Sequence, residues 1–214
     1  MPAVRETCVV VDAVVGVDDI YREAISRLTE MAMGSKFDYV PVQLTKAFRE
    51  AQADEKFRSW VKMQEAIMGI EFPIDELPEI RDSMFTEESL TVVEAKLIEL
   101  YPDERAAYAT EDDIHRTMRY VYYIGETFRR AFEGTWVAVP PQDPKNDADG
   151  LTPATDVPFR ENFIQPTSLI RFAVNRRTGE EISPVYGHME RAYNKWQDAG
   201  RPERTYRGTL REND

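Results

Sequence analysis

A row of polar residues along one predicted helix carries the side chains best suited to chemistry. The row recurs at alternating steps of four and three residues, and it consists of His115, Arg119, Tyr122, Glu126 and Arg129. This spacing places all of them on one side of a helix. A histidine, a carboxylate, a phenol and two guanidinium groups could bind an anion or transfer protons. The alternative is a solvated helix flank with ion pairs, for which Glu126 and Arg130 are well oriented.

The helix that must position this polar row is predicted from Thr110 onwards. Thr110 and Asp113 resemble a capping box, and Gly134 suits the position just past a helix end. The apolar residues that predict its buried face recur at helical spacing and are Ile114, Met118, Val121, Gly125, Phe128 and Phe132. Trp136 to Val139 then predicts a short strand. We expect this to be the central helix of the fold.

Three tyrosines of the same helix predict a contact surface for a protein partner. Tyr120, Tyr122 and Tyr123 point to three different sides of the helix, so at least one should be exposed. Exposed tyrosine beside arginine is typical of protein interfaces, whereas tyrosine at the edge of a core is equally normal. The predicted contacts are Tyr120, Tyr123, Glu126 and Arg130, together with the acids of the segment from Glu71 to Asp82.

A basic spot lies further along the chain at Arg171, Arg176 and Arg177. Ser168 to Val174 and Glu180 to Ile182 predict the two strands of a hairpin, with Arg176 and Arg177 in its turn. The spot could contact an acidic partner or a phosphate, and Arg176 and Arg177 are included among the predicted partner contacts. The alternative is that a turn simply tolerates arginine.

Metal and cofactor sites are not predicted. Glu111 and Asp112 precede His115 at metal-binding distances, but His188 is the only other histidine, and acids at a helix start are explained by the helix dipole. The single cysteine, Cys8, excludes an internal disulfide and zinc sites built on paired cysteines. The chain contains no P-loop, no Gly-x-Gly-x-x-Gly sequence and no Gly-x-Ser-x-Gly nucleophile motif.

Composition narrows the class of protein further. The chain has 214 residues, 42% of them hydrophobic, and a formal net charge of −12. This charge repels free nucleic acid and suits either simple solubility or a basic partner. No apolar run is long enough for a membrane span, and the N-terminus lacks the features of a signal peptide. We therefore predict a cytoplasmic protein that binds neither nucleic acid nor membranes.

The order of predicted elements indicates an α+β fold. A mainly helical N-terminal two-thirds (17–133) is expected to pack with a small antiparallel sheet and a C-terminal helix (134–200) in one domain, 1–200. Pro140 to Gly150 is rich in proline and Asp/Asn, which predicts a mobile loop over 140–157. Residues 201–214 lack a core pattern and are expected to form a flexible tail.

The segment from Tyr123 to Trp136 resembles a class of uncharacterised bacterial proteins. In that class an Ile-Gly-Glu-x-x-Arg-Arg helix leads through Gly-x-Trp into a strand, as at Ile124 to Arg130 and Gly134 to Trp136. The strand followed by a proline-started helix at Ile182 to Val185 is also similar. The resemblance covers the C-terminal half, Thr110 to about Trp196. Some proteins of this class are immunity-type factors, and the resemblance implies no catalytic residues.

These observations lead to three hypotheses. The first is a non-enzymatic cytoplasmic binding protein, of the immunity type, for a basic protein partner. The second is an enzyme of unrecognised family that uses the polar row. The third is a structural or assembly subunit, which would form a symmetric oligomer.

Overall fold

The computed structural model of the protein describes residues 40–141 and 150–206, all within one compact unit that begins at Val40. The predicted helical region 17–133 begins outside the described residues. Cys8 also lies outside them. The described helices are α1 (Lys46–Ala51), α2 (Glu55–Ile70), α3 (Glu87–Leu100), α4 (Glu104–Ala107), α5 (Glu111–Ala131), α6 (Pro166–Arg176) and α7 (Ser183–Asp198). Strands β1 (Thr135–Val139) and β2 (Thr152–Asp156) complete the set. The predicted α+β fold class is confirmed.

Helix α5 is the central element, as predicted. The Thr110 hydroxyl accepts a hydrogen bond from the backbone N–H of Asp113 at 3.1 Å, which caps the helix start. Val121, Phe128 and seven of their neighbours between Tyr120 and Phe128 are buried, and α2, α3, α4, α6 and both strands pack against this helix. The predicted apolar face is wrong only at its N-terminal end, where Ile114 is 40% exposed. The first turns of α5 extend beyond the core.

Helices α3, α6 and α7 are joined through their ends. Thr86 and Ser89 form a capping box at the start of α3. The fully buried carboxylate of Glu94 accepts the backbone N–H groups of Glu181 and Ile182, both at 2.9 Å, at the start of α7. The guanidinium group of Arg177, which follows α6, donates to the carbonyl of Tyr101 at 2.7 Å beyond the end of α3. Each contact satisfies polar groups that a helix end leaves unpaired.

The sheet has a different second strand from the one predicted. Strand β1 pairs antiparallel with β2, with Val137 opposite Ala154, so part of the predicted mobile loop 140–157 is a strand. Ser168 to Val174 is not a strand of a hairpin with Glu180–Ile182, because it belongs to α6. The buried side chains of α6 include Leu169, Ile170, Ala173 and Val174. Their spacing is helical rather than alternating.

The outer edge of β1 is closed by a side chain from the start of the described chain. The Gln52 amide donates to the Ala138 carbonyl at 2.8 Å and accepts from the Ala138 N–H at 3.0 Å. The Phe48 ring of α1 stacks on Phe163 at 5.6 Å between ring centres, beside Val137. Together these contacts cover the small sheet and satisfy part of its exposed edge.

The predicted flexible tail is partly ordered. Arg204 forms an ion pair with Asp156 of β2 and donates to the carbonyl of Val157 at 3.0 Å. The Trp196 indole donates to the Pro202 carbonyl at 2.9 Å. Residues 201–206 are therefore tied to the folded unit, whereas 207–214 lie outside the described part of the chain. Within the described segments, no helix combines the length and apolar character that crossing a membrane requires.

Candidate functional site

The C-terminal half of the polar row converges on Glu126. This carboxylate is only 3% exposed, and four N–H groups donate to it. Arg129 provides two of these bonds, at 2.7 and 2.8 Å, and Arg130 provides one at 2.7 Å. The Trp136 indole N–H supplies the fourth at 3.0 Å. Glu126 therefore joins the last turns of α5 to the first residues of β1.

The indole that donates to this carboxylate belongs to a group of three packed aromatic rings. Tyr122 stacks on Trp136 with 5.2 Å between ring centres, and Trp60 of α2 packs edge-on against both rings. Gly125 lies directly under the indole, because a Cβ atom at this position would come within 2.2 Å of the Trp136 ring. The glycine in the Ile-Gly-Glu sequence is explained by this close approach. We call these residues, with Glu126 and its two arginines, the Glu126 cluster.

The protonation states in the Glu126 cluster are fixed by its surroundings. Burial disfavours the charged carboxylate, but hydrogen bonds from Arg129, Arg130 and Trp136 outweigh this effect and hold the pKa of Glu126 below its ordinary value. Burial, followed by the charge of Glu126, raises the pKa of the Tyr122 phenol to about 12. An ionised, fully bonded carboxylate beside a neutral phenol is poorly placed for proton transfer near neutral pH.

The N-terminal half of the polar row does not join this cluster. His115 is exposed near the start of α5. Arg119 pairs with Glu71 at 3.3 Å, and Arg116, outside the predicted row, pairs with Glu76 at the same distance. The five residues of the row are thus divided between a surface ion-pair region and a buried cluster. The solvated helix flank with ion pairs describes the N-terminal half of the row. Neither that interpretation nor the catalytic one anticipates the burial of Tyr122 and Glu126 in the C-terminal half.

The prediction that a tyrosine of α5 is exposed for a partner is wrong. Tyr120 and Tyr123 are fully buried, and Tyr122 is 3% exposed. The Tyr120 hydroxyl donates to Glu76 at 3.2 Å. The Tyr123 hydroxyl donates to Ser89 at 2.7 Å and accepts from the Phe85 N–H at 2.8 Å. The phenols of Tyr120 and Tyr123 have polar partners inside the protein, so their aromatic side chains can be buried.

Of the other predicted contacts, Glu126 is also buried, while the arginines remain accessible. The Arg130 side chain is 49% exposed, although its guanidinium lies 3.9 Å from the Phe85 ring centre. Arg176 pairs with Glu181 at 2.8 Å, and Arg177 caps α3. These two arginines lie at the end of α6 rather than in a hairpin turn, so the predicted basic spot is largely used within the fold.

Large apolar side chains are exposed on a different surface, away from the buried tyrosines of α5. Met63, Ile70 and Ile74 are 53%, 67% and 54% exposed, the highest values for large hydrophobic side chains in the described chain. They lie on the outer side of α2 and in the π-helical turn Phe72–Glu76 that follows it. The exposed acids Glu71, Asp75 and Glu79 lie in the same stretch. We call these six residues the acidic–apolar face.

Sequence reasoning found the acidic half of this surface and missed its apolar half. The acids between Glu71 and Asp82 were predicted as contacts, and Glu71, Asp75, Glu79 and Asp82 are indeed exposed. Met63 and Ile70 are seven residues apart on a helix whose buried set, including Trp60, Gln64 and Met68, lies on the other side. Two separate apolar sides on one helix were the available signal.

The described residues contain no group of three or more His, Cys, Asp or Glu side chains arranged to hold a metal ion. Comparison with known proteins finds no matching family model, no matching curated protein and no matching solved structure. The resemblance of the C-terminal half to the Ile-Gly-Glu-x-x-Arg-Arg class therefore stays a prediction. The geometry of the Glu126 cluster and of the acidic–apolar face must carry the functional argument.

Proposed function

We propose that the protein is a non-enzymatic cytoplasmic binding protein that holds a basic protein partner through the acidic–apolar face. The observation that carries this proposal is the exposure of Met63, Ile70 and Ile74 beside acidic side chains. Exposed large apolar side chains that lie together and are bordered by polar groups are typical of protein contact sites. Neither the tyrosines of α5 nor Glu126 takes part in this binding.

The two components of the face have separate roles in the proposed complex. Each large apolar side chain that is buried contributes about 1.5–3 kcal/mol when its whole surface is removed from water, so the two isoleucines supply affinity. Asp75 and Glu79 attract a basic partner and speed its association, an effect that salt screens; Glu71 is already paired with Arg119. The net charge of −12 acts in the same direction and disfavours nucleic acid as the partner.

The contacts of the Glu126 cluster support the non-enzymatic part of the proposal. All four hydrogen bonds to the carboxylate come from side chains of this chain, and they connect α5 to β1. The histidine of the polar row, His115, is exposed and lies outside the cluster. The cluster is thus better suited to holding the fold than to turning over a substrate.

An immunity-type role is the specific form of this proposal. An acidic protein that covers a basic partner through a small apolar and charged surface has the properties that such a factor needs. The resemblance at Ile124 to Arg130 points to the same class of protein. An assembly subunit would instead form a symmetric oligomer, so a monomer in light scattering would exclude that third hypothesis.

Affinity capture from a lysate of the source organism tests the proposed function. The baits are the wild-type chain, an Ile70→Ser/Ile74→Ser variant, and a Leu151→Ser control that alters an exposed apolar residue outside the face. We expect wild type and control to retain the same basic protein at low salt and to release it at high salt, while the double variant retains little. Equal capture by all three baits, or no captured protein, would refute the proposal.

A further inference from the structure

The helix that carries the apolar side chains is electrically asymmetric along its length. Residues 55–65 contain the cations Lys56, Arg58 and Lys62 together with two acids. Residues 66–79 contain four acids and neither lysine nor arginine. One of these acids, Glu76, is only 13% exposed in its side chain and pairs with Arg116. Glu71 also pairs with an arginine, Arg119, so Asp75 and Glu79 carry most of the negative charge at the end near Ile70 and Ile74.

The apolar side chains form a narrow line along the same axis. Met63 and Ile70 are two helical turns apart. Glu71 keeps right-handed helical angles, and the Asp75 N–H donates to its carbonyl at 2.8 Å, so Ile74 follows Ile70 by about one more turn. The line is about 16 Å long at 1.5 Å per residue, which is the length of three turns of a facing helix.

We infer that the acidic–apolar face accepts an amphipathic α-helix of the basic partner, with its lysine and arginine residues concentrated at the end over Asp75 and Glu79. This inference rests on the proposed function and specifies the segment of the partner that binds. A facing helix with apolar residues at i, i+4, i+7 and i+11 is as long as the line formed by Met63, Ile70 and Ile74. At the opposite end, Lys56, Arg58 and Lys62 outnumber Glu55 and Glu65, so a basic segment is attracted there less than at Asp75 and Glu79, which fixes the orientation.

A synthetic peptide titrated into the full-length protein tests this inference. The peptide has about 18 residues, with leucine at helical spacing, lysine in one half and glutamine in the other, and the control is a scrambled peptide of the same composition. We expect the amphipathic peptide to bind about tenfold more tightly than the scrambled one. Ile70→Ser or Ile74→Ser should remove this difference, and Leu151→Ser should preserve it.

Carbodiimide cross-linking locates the basic end of the bound peptide. This reagent joins a lysine amine to a carboxylate in contact with it, so mass spectrometry identifies the acid involved. We expect cross-links to Glu71, Asp75 and Glu79 in large excess over those to Glu55 and Glu65. An even distribution over all these acids would overturn the proposed orientation.

Three other outcomes would overturn the helix-docking inference in different ways. Equal binding of the scrambled peptide would reduce the interaction to general electrostatic attraction. A wild-type dimer that Ile70→Ser/Ile74→Ser dissolves would assign the face to a second copy of the chain. The peptide could also fail to bind while the protein still captures a basic protein in a salt-sensitive way that requires Ile70 and Ile74. This result would reject a helix as the bound segment and leave the proposed function intact.

Discussion

The Glu126 cluster and the acidic–apolar face use charged and apolar groups in opposite ways. At Glu126, a buried carboxylate receives four hydrogen bonds, one of them from the Trp136 indole that stacks on Tyr122. Around Ile70, the acids are exposed and two isoleucines keep more than half of their surface in water. Groups that satisfy one another within the chain indicate a structural role. Large apolar side chains left exposed beside acids indicate binding to another molecule.

This difference changes where function is sought in the molecule. The residue types around Glu126 resemble those of an active site, yet all four hydrogen bonds to its carboxylate come from Arg129, Arg130 and Trp136 within the fold. The segment from Met63 to Glu79 does not resemble an active site. Its three exposed apolar side chains are nevertheless hydrated at a cost in free energy, which a bound partner would remove. Substitutions in the Glu126 cluster should therefore change stability, and substitutions in the acidic–apolar face should change binding.

The largest effect on stability is expected from Gly125→Ala. The added Cβ atom would lie 2.2 Å from the rigid Trp136 ring, so the indole and the strand that carries it must move. We expect a loss of about 3 kcal/mol in the free energy of unfolding, measured by urea denaturation. Gly69→Ala is the matched control, because nothing lies within 4 Å of its added Cβ. The control should gain about 0.5–1 kcal/mol through helix propensity.

A smaller loss is expected from Glu126→Gln. The neutral amide loses one acceptor oxygen and removes the charge that faces Arg129 and Arg130. We expect about 2 kcal/mol of destabilisation in the same urea experiment, because the arginines are partly exposed and can be rehydrated. Glu65→Gln, an exposed acid on α2, should change stability by less than about 0.5 kcal/mol. Equal effects of the two substitutions would contradict a structural role for Glu126.

The contribution of Glu126 should depend on pH in a defined direction. Its folded-state pKa is lowered, so its stabilising effect is present above the ordinary carboxyl pKa of about 4.3 and is lost as pH falls through the folded pKa. The difference in unfolding free energy between wild type and Glu126→Gln should therefore be constant near neutral pH and shrink on acidification below pH ~4.3. A difference that grows towards acid would show that the folded-state pKa is raised instead.

The smallest effect on stability is expected from Ile70→Ser/Ile74→Ser. Both side chains are more than half exposed, so the free energy of unfolding should change by less than about 0.5 kcal/mol for each substitution. Thermal unfolding followed by circular dichroism measures this directly, with Leu151→Ser as the exposed apolar control. A clear loss of stability would mean that the two isoleucines support the fold, and it would weaken the argument for an interface.

The sequence predicted the helices better than the contacts between them. Two local signals are sufficient to predict α5. They are the helical spacing of Val121, Gly125 and Phe128 and the N-terminal cap at Thr110. The composition of residues 168–174 is β-prone and predicts a strand, which is wrong. The spacing of Leu169, Ile170, Ala173 and Val174 is that of the helix α6. The strand partner of β1 depends on a contact across a loop, which local pattern does not determine.

The same limit explains the errors at the candidate site. The ion pair between Glu126 and Arg130 was predicted because it is local on one helix. The surroundings of Glu126 include the indole of Trp136, which comes from β1, and Trp60 of α2, which packs on that indole. Tyr120 and Tyr123 were expected at a surface because periodicity places them on different sides of α5. It does not reveal that Glu76 and Ser89 pair with their hydroxyl groups.

The most direct test compares the affinity of the captured basic protein for two variants by isothermal titration calorimetry. The account predicts that Ile70→Ser/Ile74→Ser weakens binding at least about tenfold, while Glu126→Gln changes it by less than about twofold despite its lower stability. The reverse pattern, with affinity lost in Glu126→Gln and retained in the double variant, would contradict the account. It would return the functional site to the Glu126 cluster.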